Sequence, residues 1–342
     1  MIDKNYCMSS FLMFRCVADP SKEFGEGLHH QICPSPLYRY PCKTSEDIRN
    51  VIQQYLRDKV DNETGLMLSG GIDSAILASF LPEGTKAYTL NCVAAGAFNE
   101  VERAKRCAEK NRLDHRIVDV TWEDYQKFVP LLMKRKGAPV HSIEPQIYKA
   151  ALQAKKDGVK RLVFGESADV IFGGMDGLLS KDWTMEEFIQ RYQYVDPAKA
   201  LKHPVKITEP FEFFRTSEGV DAHKFVSEFF YTEGRGSYIN ATSLAGVEFI
   251  APYSQMVLDV PIDLKRIRSG DSKYLVRELF HSIYPDWEPP VKTPMPRAVT
   301  QWLADWDGPV RPEFIPGCTE GMKGDQKWLV YCLEWFLNQF GL

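Results

Sequence analysis

Between residues 65 and 164, short apolar runs alternate with stretches whose apolar residues recur at helical spacing. Residues 65–68, 86–92, 115–120 and 161–164 read as strands, and 75–81, 99–110 and 143–157 as helices. The second helix carries Val101, Ala104 and Ala108 on one face behind an asparagine cap, Asn99, and the third follows Ser142. Alternating β and α units predict an α/β fold on a doubly wound parallel sheet, whose ligands bind at the carboxyl ends of the strands. The loops at Ser69 and Gly165 lie at two such ends. Beyond Gly174 the strand signal fades, and helices at 185–191, 221–231, 272–283 and 326–338 predict a helical C-terminal elaboration. The expected layout is an N-terminal segment over 1–45 and one domain over 46–342, with its sheet core at about 60–180 and its helical part at about 181–342. The proline-rich run 285–296 reads as an ordered loop rather than a linker, because Trp287 and Lys292 sit within it and Arg297 follows.

The turn after the first strand, Leu68-Ser69-Gly70-Gly71-Ile72-Asp73-Ser74, is suited to phosphate. Two glycines let the backbone turn tightly with several N–H groups pointing one way, and a helix start adds unpaired N–H groups. Ser69 and Ser74 offer hydroxyls, and Asp73 can ligate a magnesium ion that bridges phosphate oxygens. A bare Ser-Gly-Gly is more often a simple turn with Asp73 as a cap, so the context decides. No Gly-x-x-x-x-Gly-Lys-Ser/Thr motif occurs, which excludes a Walker loop. A second acidic loop, Gly165-Glu166-Ser167-Ala168-Asp169, follows 96 residues after Asp73, counted to Asp169. If its strand runs parallel to the first, Asp169 and Asp73 can meet over one metal ion.

The string Ser69 to Ser74 resembles the pyrophosphatase loop of the N-type ATP pyrophosphatases, the PP-loop superfamily, whose adenine nucleotide α hydrolase-like fold is the one expected here. The blocks Gly165 to Asp169, Phe172-Gly173-Gly174, Gly246-Val247-Glu248, Ala251-Pro252-Tyr253, Ser272 to Arg277 and Pro289-Pro290-Val291-Lys292 resemble asparagine synthetases, in the family's order over roughly residues 45 to 310. The resemblance implies that Ser69, Gly70, Gly71, Asp73 and Ser74 hold the ATP triphosphate, that Asp73 and Asp169 ligate Mg²⁺, and that Leu68, Leu90 and Gly165 line the adenosine. It further implies that Lys292 meets the α-phosphate in the transition state, and that Glu166 and Glu248 stand near the acceptor carboxylate and nucleophile as candidate bases. The implied activity is that of an AMP-forming ligase that adenylates a carboxylate and makes an amide, releasing pyrophosphate.

Where the family has Gly-Val-Glu-Ala-Arg, this chain has Gly246-Val247-Glu248-Phe249-Ile250, Val170 follows the metal-ligand aspartate, and Met175 replaces a tyrosine. These departures argue against simple asparagine synthesis. Only 68 residues precede Ser69, too few for the family's glutaminase domain, and Cys7 reads as structural. Nitrogen is then expected from free ammonia, a separate glutaminase, an amine, or an amine within the acid itself, as in the related β-lactam synthetases.

Composition narrows the alternatives. A net charge of -4 gives no footprint for nucleic acid, and eight cysteines without a Cys-x-x-Cys pair weaken zinc-ribbon and dithiol readings. A PP-loop thiotransferase acting on RNA and a non-catalytic ATP-binding subunit are the competing classes. No run reaches the 18 or more apolar residues of a membrane span, and the run 9–14 lacks a signal peptide's leader and cleavage site. The expected setting is cytoplasmic, with small-molecule partners and homo-oligomerisation left open.

Overall fold

In the computed structural model, residues 1–31 and 36–342 are described; residues 32–35, which include Cys33 and belong to the N-terminal segment 1–45, lie outside them. Among the described residues, seven strands run Tyr40–Cys42 (β1), Thr64–Met67 (β2), Lys86–Cys92 (β3), Asp114–Val120 (β4), Arg161–Val163 (β5), Glu248–Ile250 (β6) and Met256–Leu258 (β7). Five of them form one sheet in the order β4-β3-β2-β5-β6, with every pairing parallel. β1 and β7 form a separate parallel pair. The expected doubly wound sheet is present, and its four predicted strands are displaced by one residue at most.

Parallel strands buried on both faces must be apolar at consecutive positions. Leu162 and Val163 illustrate this, the first facing a core of helices Trp122–Lys136, Glu144–Lys156 and Gly324–Phe340, the second a core with helices Ser45–Arg57 and Val101–Lys110. From β2 the chain winds outward to β3 and β4, then returns to the other side of β2 with β5 and β6. The strand order therefore reverses between β2 and β5, and the crevice beyond their carboxyl ends is where such sheets bind ligands.

Three readings need correction. The strand signal does not end at Gly174, since β6 adds an edge to the main sheet. The helix expected at 221–231 instead runs as Ala222–Phe225, a π-helical turn Val226–Phe230, and a further helix Tyr231–Ala245, stopped only at Gly246 with its left-handed φ of 74°. The helix after the Ser69 loop is Ile72–Ala78, starting three residues earlier than expected, so Asp73 lies in its first turn.

The apolar run 9–14 belongs to a core helix, Lys4–Phe14, whose residues Cys7 to Phe14 are all buried. It packs on Gly324–Phe340. Cys7 is buried, and desolvation pushes its thiol up to about 12, as suits a structural cysteine. Among the described residues, no helix is long and apolar enough to cross a membrane.

Candidate active site

At the crevice between β2 and β5, the chain supplies two loops of opposite chemical character. The first turns through Gly70, whose φ of 70° is left-handed and where a Cβ would lie 2.7 Å from the Ala104 nitrogen. Only glycine fits there. The turn is braced from within: Gly71 N–H donates to Ser69 Oγ at 3.2 Å, Ser69 N–H to Ser74 Oγ at 3.2 Å, and the two hydroxyls lie 3.0 Å apart. The first-turn N–H groups of Ile72–Ala78 have no carbonyl four residues back and face the turn.

The second loop leaves β5 at Gly165, where a Cβ would lie 3.1 Å from Asp73 Cβ, so the two loops touch. Leu68, Ser69, Gly71, Asp73, Ser74, Leu90, Gly165, Glu166, Asp169 and Lys292 all line one cleft. Gly70 shapes that cleft through its turn.

Glu248 does not join them. It opens β6 opposite Arg161, at the amino end of the sheet, with 58% of its side chain exposed and a 3.7 Å ion pair to Arg161. Parallel strands put residues at their starts on the side away from the crevice, so Glu248, unlike the expectation, is not placed to act as a base there.

A residue that pattern reading overlooked sits at the centre. Lys273 Nζ donates to both Asp73 carboxylate oxygens, at 2.7 and 2.8 Å, and lies 2.9 Å from Asp169 Oδ1. Lys292 Nζ is 3.1 Å from that same Oδ1 and donates to the Gly174 carbonyl. Burial opposes charge on Asp169, but Lys273 and Lys292 outweigh it and hold its carboxyl at about 2. For Asp73, burial pushes the carboxyl up against the pull of Lys273, and the Asp169 charge adds to the rise. The signal available in the sequence was the acid pair itself: two converging carboxylates need a cation, and Ser272-Lys273-Tyr274 supplied one.

Arg103 was also missed. Its Nη1 donates to the Val291 carbonyl at 3.0 Å and its Nη2 to Thr293 Oγ1 at 2.7 Å, clasping the residues on either side of Lys292. Replacing Arg103 with alanine should free that loop and lower turnover about tenfold or more, the scale of a mispositioned group, with nucleotide affinity changed far less. Steady-state kinetics beside a nucleotide titration checks the split.

Glu166 lines the cleft wall. Burial pushes its carboxyl up to about 7, with the Tyr238 hydroxyl opposing by hydrogen bonding. A group poised there can take a proton near neutral pH.

The donor set suits magnesium. Among the described residues, no cluster of three or more His, Cys, Asp or Glu side chains is placed to hold a metal. Mg²⁺ does not need one, since it binds through one or two carboxylates and completes its shell with substrate phosphates and water.

The family model for asparagine synthase matches residues 47–228, a span that includes both loops and ends before Lys273 and Lys292. No curated protein matches the chain. Among solved structures, an NH3-dependent NAD synthetase from Campylobacter jejuni subsp. jejuni NCTC 11168, in complex with the nitrate ion, is 18% identical at a TM-score of 0.26, over 38% of this chain and 58% of that one. The chain thus covers less than two thirds of that protein. An NMN synthetase from Francisella tularensis is 12% identical at a TM-score of 0.27, over 73% of this chain and 96% of that one.

Proposed function

The chain belongs to the asparagine synthase family, and from that premise we propose that it is an AMP-forming ligase that adenylates a small-molecule carboxylate and passes the acyl group to ammonia or an amine. The observation that carries this reading is the Asp73–Lys273–Asp169–Lys292 cluster beside the Ser69 loop, at the point where the strand order reverses. A triphosphate laid on the loop meets cations and a pair of metal-binding acids there.

Asp73 and Asp169 would hold Mg²⁺, which neutralises phosphate charge. Ser69, Gly70, Gly71 and Ser74 cradle the departing pyrophosphate, and Leu68, Leu90 and Gly165 flank the adenosine. In the first step a carboxylate oxygen attacks the α-phosphorus, and the bond from that phosphorus to the bridging oxygen breaks with pyrophosphate leaving. Lys292 supplies a fixed cation where charge develops. In the second step the amine nitrogen attacks the acyl carbon and the carbon–oxygen bond breaks, so AMP leaves with the electron pair. Glu166 takes one ammonium proton, and the other departs with AMP or to water.

Thiol transfer is disfavoured, because burial pushes Cys92 to about 11 and Cys107 to about 12 and suppresses their thiolates at neutral pH. The test is to incubate the chain with Mg-ATP and panels of carboxylates and amines, quantifying AMP, pyrophosphate and new amides. AMP without any new amide would sink the reading.

A base with its carboxyl near 7 is active when ionised, so turnover should rise with pH through about 7 and level off above it. Glu166→Gln should flatten that limb and slow amide formation by roughly 100-fold or more. An unchanged pH profile in this variant would assign the limb to another group.

A further inference from the structure

A second cavity, of about 210 Å³, backs onto the nucleotide cleft, and Glu166, Asp169 and Tyr238 line both. It is also lined by Glu233 of helix Tyr231–Ala245, a residue the chemistry above leaves unused. The Glu233 side chain is 2% exposed. Its Oε2 accepts from Arg15 Nη2 at 2.7 Å, while Oε1 is buried without a hydrogen-bond partner among the described residues. Ser167 Oγ, on the same cavity and equally buried, also lacks one. A carboxylate oxygen can only accept, and leaving it dry and unmatched is costly.

Arg15 is not free to fill that vacancy. Its guanidinium lies 4.1 Å from the Tyr194 ring centroid, its Nη1 donates to His141 Nε2, and its backbone is fixed in the left-handed region at the end of Lys4–Phe14. Burial pushes the Glu233 carboxyl up, with Arg15 and Lys136 opposing, and Arg297, the other cation that lines this cavity, is ion-paired to Asp325 at 2.6 Å. Met175, Phe230 and Met295 give the cavity an apolar side. One water needs about 10–15 Å³ of such space, so ammonia alone would leave most of it to solvent.

We propose that this cavity binds the nucleophile as a small primary ammonium ion bearing a carbon substituent, with its N–H groups on Glu233 Oε1 and Ser167 Oγ and its carbon chain against Met175 and Phe230. Glu166, on the shared wall, then stands between the ammonium and the acyl carbon. The inference rests on reading the nucleotide cleft as a ligase site, and it makes Glu233 the residue that holds the ammonium group, with Met175 and Phe230 selecting an amine over ammonia.

The test is calorimetric titration of the full chain with ethylammonium and with ammonium, in the presence of magnesium and a non-hydrolysable ATP analogue. Ethylammonium should bind at least roughly tenfold tighter than ammonium, and Glu233→Gln should lose roughly tenfold or more, the scale of one charged hydrogen bond. Because that variant strands the Arg15 charge, Met175→Trp serves as a second probe: it fills the apolar side and should lose ethylammonium while keeping ammonium. Equal binding of the two ions by the native chain, or native ethylammonium affinity in both variants, overturns the proposal. A parallel assay traps activated carboxylates with hydroxylamine. Hydroxamate formation without ethylammonium binding removes this site and leaves the ligase reading intact. Ethylammonium binding without hydroxamate removes the ligase reading, and with it the ion's role as nucleophile.

Discussion

Replacing Lys292 with alanine should lower turnover about 100-fold or more, the scale of losing a principal transition-state donor, while nucleotide affinity should stay close to that of the native chain. The asymmetry follows from placement. Lys292 rides on a loop that Arg103 clasps at Val291 and Thr293, and its ammonium lies 3.1 Å from Asp169. On the proposed reading, ground-state phosphate binding would be shared among the Ser69 loop, Lys273 and the acid pair, so losing one partly exposed cation should remove little of it. Charge developing at the α-phosphorus has fewer fixed partners. Single-turnover rates measured beside an equilibrium nucleotide titration separate the two effects. Native turnover in Lys292→Ala would take this residue out of the mechanism.

Lys273→Met should destabilise the magnesium-free protein by about 3 kcal/mol, the scale of breaking a buried ion pair. The side chain is 6% exposed and bridges Asp73 and Asp169, so its removal leaves two carboxylates facing each other with Lys292, 3.1 Å from Asp169, as their remaining counter-charge and Asp73 without an ion pair. Such a pair resists double ionisation, and one folded-state pKa must rise above its unfolded value of about 3.9. A group shifted upward makes the fold relatively more stable in acid and loses that contribution as pH rises. The deficit should therefore be smaller near pH 4 than at pH 7. Magnesium with a non-hydrolysable nucleotide should restore much of it at pH 7 by supplying the missing cation. Denaturant unfolding at both pH values, with and without the metal complex, reads this directly; a deficit indifferent to magnesium would mean that the acids do not share a metal site.

The sheet and the phosphate loop were legible because both are written locally. β3 was read to the residue, since Ala87, Tyr88, Leu90 and Cys92 supply apolar side chains to a strand with parallel neighbours on both edges. β6 was missed because Glu248–Ile250 is three residues long and owes its state to pairing with β5. The Tyr231–Ala245 helix was cut short because Gly234 and Gly236 lower its intrinsic propensity, which packing against Glu144–Lys156 overrides. Thr44 and Asp47, which form a capping box, did mark the unread helix Ser45–Arg57.

The site divides the same way. Motif order located Asp73, Asp169, Glu166 and Lys292, but it carries no direction along a strand, and Glu248 fell at the wrong end of the sheet. Arg15 and Glu233 lie 218 residues apart in sequence, and only the folded chain brings them to one cavity.

Central to the account is that ATP is attacked at its α-phosphorus by a carboxylate. It is tested most directly by supplying a turned-over acid with its carboxylate oxygens labelled with ¹⁸O and weighing the nucleotide product. Adenylation predicts AMP carrying one labelled oxygen, unlabelled pyrophosphate and an amide that retains the other label. Label in inorganic phosphate with ADP as the nucleotide product, or unlabelled AMP, would contradict it.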